Sequence, residues 1–218
     1  MKEEKDIKTD RVFQYIYDGI KSGEFPSGQM LTEREIVKKL EVSRTPVREA
    51  LRRLEKFGLV NSEPHKGVRV ISMSKERISN LYQVRELLEG LGAKLISKNK
   101  NEKAIERLRE IMEKAEQAVK EGDIDKLSNI NSQFHMEIAK SSENYYLENI
   151  MHTLQSNINL LMATSLSSEN RPIQNLKEHH MIIDAIESWD PELAEAVTKS
   201  HVRKAYNTAL NKIDKLNS

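Results

Sequence analysis

Residues 31–60, LTEREIVKKLEVSRTPVREALRRLEKFGLV, constrain this chain more than any other stretch. Thr32 is followed three residues later by Glu35, the capping-box spacing in which side chain and backbone satisfy one another, and this predicts a helix running through Leu40. Ser43 stands where it can cap a second helix, and Pro46 is tolerated because its missing N–H falls in the first turn. Val47, Ala50, Leu51, Leu54 and Phe57 recur at helical spacing and supply an apolar face. Arg44, Arg48 and Arg52 stand four residues apart and make a ridge on a different face, with Arg53 beside it. Two short helices joined by a tight turn are what this pattern leaves.

A basic second helix this close to a capped first one has the geometry to enter a DNA major groove. Arg44 and Arg48 lie in its first turns, where backbone N–H groups also meet phosphate. Arginine bonds bidentately to guanine, worth roughly 1–3 kcal/mol of discrimination. A solvated basic helix paired with Glu49 and Glu55 would explain the same residues in isolation. The next stretch favours the DNA reader. Leu59-Val60 and Val68-Arg69-Val70-Ile71 read as a hairpin, with Pro64 and Gly67 marking its loop and His65-Lys66 at a basic tip. Such a wing can reach the adjacent minor groove or backbone, although an ordinary surface hairpin looks alike.

Upstream, Val12, Phe13, Ile16 and Ile20 predict a first helix from about Asp10 to Ser22, after a polar, frayed stretch 1–9. A winged domain thus closes at residue 72. From residue 75 every segment is helical in pattern, over 75–98, 102–121, 124–140, 145–166, 172–188 and 191–215, with legible breaks such as Gly122-Asp123 and Trp189-Asp190. The expected fold is mainly α: an N-terminal winged helix-turn-helix (1–72) and a C-terminal antiparallel six-helix bundle (75–218). Charge divides mildly along this line: residues 1–74 hold 15 Lys and Arg against 12 Asp and Glu, residues 75–218 hold 20 against 22. The absence of cysteine excludes disulfides and thiolate metal sites. No stretch has membrane-spanning length or the apolar core of a signal peptide, so a cytoplasmic protein is expected.

Three histidines of the second half face inward by their spacing. His135 lies four residues after Asn131, His179 shares a face with Ile182, Ile183 and Ile186, and His201 has Val197, Ala205 and Ala209 on its side. His152 and His180 align instead with polar residues. Three inward histidines from three helices, with a short carbonyl side chain, describe either a transition-metal site or hydrogen-bonded core residues. Arg85, in the opening helix of the bundle, has a planar fork suited to an effector carboxylate; an ion pair with Glu86 or Glu89 is the competing account.

The run TEREIVKKLEVSRTPVREALRRLEKFGLV resembles the winged helix-turn-helix of GntR-family bacterial transcription regulators. The remainder resembles the helical effector (FCD) domain of the FadR-type branch, in its shorter, VanR-like six-helix version. YQVRELLEGLGAKL is similar to that domain's opening helix, NSQFHMEIAKSSEN to its central motif, and EHHMIIDAI followed by His201 to its last two helices. The resemblance implies DNA contacts at Arg34, Arg44, Thr45 and Arg48, a phosphate contact from Ser43, and a wing tip at His65 and Gly67, beside Lys66. It implies a homodimer on a near-palindromic double-stranded operator, more often as a repressor, controlled by a small organic acid or sometimes a fatty acyl thioester. It also places Asn131, His135, His179 and His201 on the family's metal-ligand positions, with zinc or nickel expected. Asn131 stands where aspartate is usual, so the site loses its one fixed negative charge. The rival is a metal-dependent hydrolase using the same histidines, which would need a general base and a substrate route. The Asn131 replacement and the attached helix-turn-helix argue against it.

Overall fold

Val12, Phe13 and Ile16 are buried along one side of α1 (Lys2–Ser22) in the computed structural model of the chain. The structure describes residues 2–63, 66–72, 74–166 and 170–216, and of the stretches 2–6, 162–166 and 212–216 the backbone alone. The first helix starts eight residues before the expected Asp10. The stretch KEEKDIKT contains no Gly or Pro and is rich in helix-forming Lys and Glu, so its polarity does not stop the helix.

The capping box forms as its spacing predicts. Glu35 N donates to Thr32 Oγ1 at 3.2 Å, and Thr32 N donates to Glu35 Oε2 at 3.1 Å. Between α1 and this cap lies a short strand, β1 (Met30–Leu31), and after it come α2 (Glu33–Leu40) and α3 (Arg44–Lys56). Ser43 precedes α3 with extended backbone but makes no side-chain cap. A capping hydroxyl accepts from the second or third helical N–H; the third residue here is Pro46, which has none, and the hydroxyl does not take the N–H of Thr45.

The hairpin strands are β2 (Val60–Glu63) and β3 (Gly67–Val70), antiparallel, with Val60 opposite Val70 and Glu63 opposite Gly67. β1 adds to the free edge of β3, with Met30 opposite Arg69, to give a three-stranded sheet in the order β1-β3-β2. Two residues are too few to show alternation, so β1 has no sequence signal. Gly67 is required by this third strand: its φ is +115°, and a Cβ there would sit 2.4 Å from the Leu31 carbonyl oxygen. Val47, Ala50, Leu51 and Leu54 of α3 close the core of this unit, residues 1–74, with Leu59, Val68 and Val70.

The second unit, residues 75–218, consists of α4 (Lys75–Lys98), α5 (Glu102–Glu121), α6 (Ile124–Ser141), α7 (Tyr145–Leu166), α8 (Arg171–Glu187) and α9 (Pro191–Leu216). The breaks are held by side-chain caps. Asn101 accepts from Ala104 N at 3.2 Å, Asp123 from Lys126 N at 2.9 Å and Asn144 from Leu147 N at 3.1 Å. α4 packs along α9 and against α6 and α8, while α5 packs on α6 and α8. Ile96, Leu108, Met112, Phe134, Ile138, Ile182 and Ile186 form the main apolar cluster. Above it α4 comes close to α6, since a Cβ on Gly92 would meet Ile138 Cγ2 at 3.0 Å. That approach brings the polar residues of α4 to the histidine of α6.

Candidate functional site

On the first unit, Arg34, Ser43, Arg44, Thr45 and Arg48 are all solvent-exposed. α3 turns its apolar side into the core, which leaves Arg44, Arg48 and Arg52 outward. Arg48 is held across the turn: its Nε lies 2.9 Å from both carboxylate oxygens of Glu33 at the start of α2. Arg53 is committed elsewhere, bonding Asp10 at 2.6 Å and lying over the Phe13 ring at 4.4 Å. A cleft of about 600 Å³ separates α3 from the hairpin, lined by Glu33, Arg48, Arg52, Ser62, Lys66 and Gly67 among others. Lys66 is exposed at the wing, with Nζ 3.9 Å from Glu63 Oε2. His65 lies outside the described residues.

In the second unit, α6, α8 and α9 bring His135, His179 and His201 together, each fully buried, with one ring nitrogen from each within 4.8 Å of the others. The rings stack and cross at centroid distances of 4.8–5.2 Å, and His179 lies flat on Phe134 at 4.0 Å. Asn131 is buried one turn before His135 on α6. His152 and His180 are exposed, the latter 2.9 Å from Glu116.

Carboxylates orient two of the rings. His201 Nδ1 meets Glu178 Oε2 at 2.8 Å. His135 Nδ1 lies 2.8 Å from Glu89 Oε2, at an angle that falls short of a hydrogen bond. A carboxylate facing Nδ1 favours the tautomer with its proton there, which leaves the lone pair on Nε2. The Nε2 atoms of His135 and His201 are buried and have no hydrogen-bond partner among the described residues. Among the described residues His179 Nε2 meets Asn175 Nδ2, at 3.5 Å. Carboxylate–histidine pairs of this kind fix the tautomer of metal-binding imidazoles.

Each carboxylate is matched by an arginine. Arg85 Nε donates to Glu89 Oε1 at 2.5 Å, so the predicted ion pair exists; the guanidinium also lies 5.4 Å from the Tyr82 ring centroid, while Nη1 and Nη2 are buried with no hydrogen bond among the described residues. Arg171 at the start of α8 grips Glu178 bidentately at 3.0 and 3.1 Å. Burial pushes His135 down to about 4, against the pull of Glu89 and with the help of Arg85. Burial likewise holds His179 well below its ordinary value, reinforced by the other two rings, and lowers His201 despite Glu178. Burial would raise Glu89, but Arg85 and His135 outweigh it and hold the carboxyl well below its usual range. Glu178 is drawn down to about 2, because His201 and Arg171 overcome its desolvation. Neutral imidazoles with free lone pairs are the ligating form, so the residues present fit a divalent metal.

Sequence reasoning singled out neither Glu178, Asn175 nor Arg171. The signal available was spacing: Arg171 and Glu178 stand two turns apart on α8, and Asn175 lies one turn before His179.

Two family descriptions cover these two regions. The gntR family of bacterial regulatory proteins matches residues 8–70, and the FCD domain matches residues 80–204. The chain belongs to the GntR family. This GntR-family regulator is 32% identical over 193 residues to a Paenarthrobacter nicotinovorans protein named as a probable D-xylose utilization operon transcriptional repressor, covering 88% of this chain and 84% of that one. It is 30% identical over 179 residues to the gluconate operon transcriptional repressor of Bacillus subtilis, covering 80% and 73%. Its fold matches that of Escherichia coli McbR with a TM-score of 0.77, at 22% identity, over 94% of this chain and 98% of that structure. GntR-family proteins regulate transcription by binding DNA, and the hydrolase alternative is set aside. Among the described residues no helix is long and apolar enough to cross a membrane.

Proposed function

We propose that the chain is a homodimeric repressor whose hold on a near-palindromic operator is set by a small organic acid bound at the histidine cluster. The observation that carries the effector reading is Arg85: a guanidinium 1% exposed, with neither Nη group hydrogen-bonded among the described residues, beside three convergent histidines. A carboxylate matches that planar fork. Relatives named for a gluconate operon and for D-xylose utilization make acids derived from sugars a reasonable first panel.

On the DNA side, Arg34, Arg44, Thr45 and Arg48 read or grip the operator, Ser43 and Lys66 contact phosphate, and Gly67 holds the wing that carries His65. Ser43 suits that role because its hydroxyl is not used as a cap. Two copies are needed for a near-palindrome, their reading helices one DNA turn or a multiple apart. The exposed apolar stripe Val84, Leu87 and Leu91 on α4 suits a second copy of the chain.

His135, His179 and His201, with the Asn131 amide oxygen, would hold zinc or nickel. Such a metal supplies a Lewis acid for a carboxylate oxygen. Glu89 and Glu178 keep the rings in the ligating tautomer, and Arg85 orients the acid. The test is fluorescence anisotropy on the DNA beside the gene, with gluconate and related acids added, and light scattering on the same sample. We expect a mass near twice 25.2 kDa. The acid that acts should change operator affinity about fivefold or more, and Arg85→Lys, which keeps a cation beside Glu89 but loses the planar fork, should keep DNA binding while losing most of that response. A strict monomer on DNA, or an Arg85→Lys variant with undiminished response, defeats the proposal.

A further inference from the structure

The winged unit has another cleft besides the one between α3 and the hairpin. It measures about 510 Å³ and lies between α1 and α2, reaching Leu31 of β1. Tyr15 of α1 and Phe25 from the turn after it form one wall, edge to face with ring centroids 5.6 Å apart. That wall is fixed by the backbone. Phe25 N donates to the Gly19 carbonyl at 2.9 Å, and a Cβ on Gly19 would overlap the Phe25 ring. Glycine is a poor residue inside a helix, so α1 gives up helix stability at the point where the ring lies. Buried Leu31 and Ile36 add aliphatic surface beside the two rings.

The rim is basic. Lys38 and Lys39, in the last turn of α2, are exposed and have no ion-pair partner among the described residues. Glu35 is the acid of the lining, but the capping box holds it: its Oε2 accepts from Thr32 N at 3.1 Å and from Thr32 Oγ1 at 2.7 Å. Glu24 acts on the Tyr15 phenol from outside the lining, so the body of a ligand, not its charge, belongs at that end. An aromatic and aliphatic interior beside two uncompensated cations is the pattern of a site for an amphiphilic anion, and the volume suits one small molecule.

We propose that the winged unit carries a ligand site of its own, for a small aromatic carboxylate whose ring lies against Tyr15 and Phe25 and whose charge meets Lys38 and Lys39. Its occupant touches α1, β1 and α2 at once. Both helices pack on α3, and β1 pairs with the wing strand β3, so the site adjoins the elements that hold the reading surface. The site is independent of the histidine cluster, and its failure leaves the reading of that cluster as it stands.

Methyl NMR of the full-length protein labelled at Ile and Leu tests this, with 2-naphthoate as the probe and 2-naphthylmethanol as its uncharged counterpart. Naphthoate should shift the Leu31 and Ile36 methyl signals saturably, and the alcohol should bind there about fivefold more weakly or worse. The double variant Lys38→Gln, Lys39→Gln should bring naphthoate down to the level of the alcohol and leave the alcohol unchanged. Gly19→Ala, shown to be folded by circular dichroism, should weaken both by pushing Phe25 off α1. The lysine variant, altered only at the exposed rim, decides the matter should Gly19→Ala not fold. Shifts confined to Ile182 and Ile183, one turn from His179, or no saturable shift at Leu31 and Ile36 with millimolar naphthoate, overturn the site. Alcohol that binds as tightly as the acid, or a lysine variant that binds naphthoate as the wild type does, overturns the carboxylate as its ligand.

Discussion

Replacing Glu89 with Gln should destabilise the helical unit more than any surface change, because it strands a buried cation. Glu89 is 1% exposed, and its carboxylate touches Arg85 Nε at 2.5 Å and His135 Nδ1 at 2.8 Å. The amide keeps the shape but cancels the charge, leaving the fully buried Arg85 guanidinium without a counterion. Breaking a buried pair by removing one partner costs about 3–5 kcal/mol, whereas removing both is close to neutral. The assay is already built into the chain. Trp189 is its single tryptophan and packs on the core of the helical unit, so its fluorescence in urea follows that unit. With a loss of about 4 kcal/mol and a slope of about 2 kcal/mol per M, the midpoint should fall by about 2 M. The double variant Arg85→Met, Glu89→Leu should recover most of that loss. A Glu89→Gln midpoint within about 0.3 M of the wild type would refute the reasoning, since it would mean that Arg85 is compensated without Glu89.

Arg44→Ala and Arg48→Ala should each weaken operator binding by about 1–3 kcal/mol, while Lys66→Ala should weaken all DNA sequences evenly and lower the salt slope; gel shifts indifferent to both arginines would refute the assignment. Acid should destabilise the helical unit. His135 falls from an ordinary 6.5 to about 4 on folding, so its contribution of about 3 kcal/mol is complete above pH 6.5 and drains away as the pH drops toward 4. His179 and His201 are shifted in the same direction. A Trp189 urea midpoint that stays flat between pH 7 and 5 would contradict this. Gly67→Ala should cost the winged unit about 2 kcal/mol through its positive φ and its clash with Leu31, read as a lower melting temperature and weaker DNA binding, with the Trp189 transition unmoved.

The helices were legible because their signals are local. Thr32-x-x-Glu35, Gly122-Asp123 and Trp189-Asp190 announce starts and stops from within a few residues, and the i+4 neighbours of His135, His179 and His201 give their faces. Ser43 shows where a local rule fails: the residue type was right for a cap, but Pro46 removes one of the two N–H groups it could accept from, and the cap does not form. β1 was invisible because its pairing with β3 joins Met30 to Arg69, far apart in sequence, over only two residues. The same distance hid the tuning of the cluster. Nothing around Glu89 points to His135, and nothing around Glu178 points to His201; folding alone makes those neighbours.

Arg48 comes to DNA with its charge already answered by Glu33. In the role proposed for it, binding is an exchange of one anion for another. A lone phosphate in salt offers Arg48 little more than Glu33 does, so non-specific DNA gains almost nothing from this side chain. A guanine edge offers two acceptors in the plane of the guanidinium and can win the exchange. Glu33, once displaced, is left facing a polyanion and penalises every site that fails to hold Arg48 firmly. An ordinary surface ion pair thus becomes a filter, set before any operator is met, against settling on the wrong one.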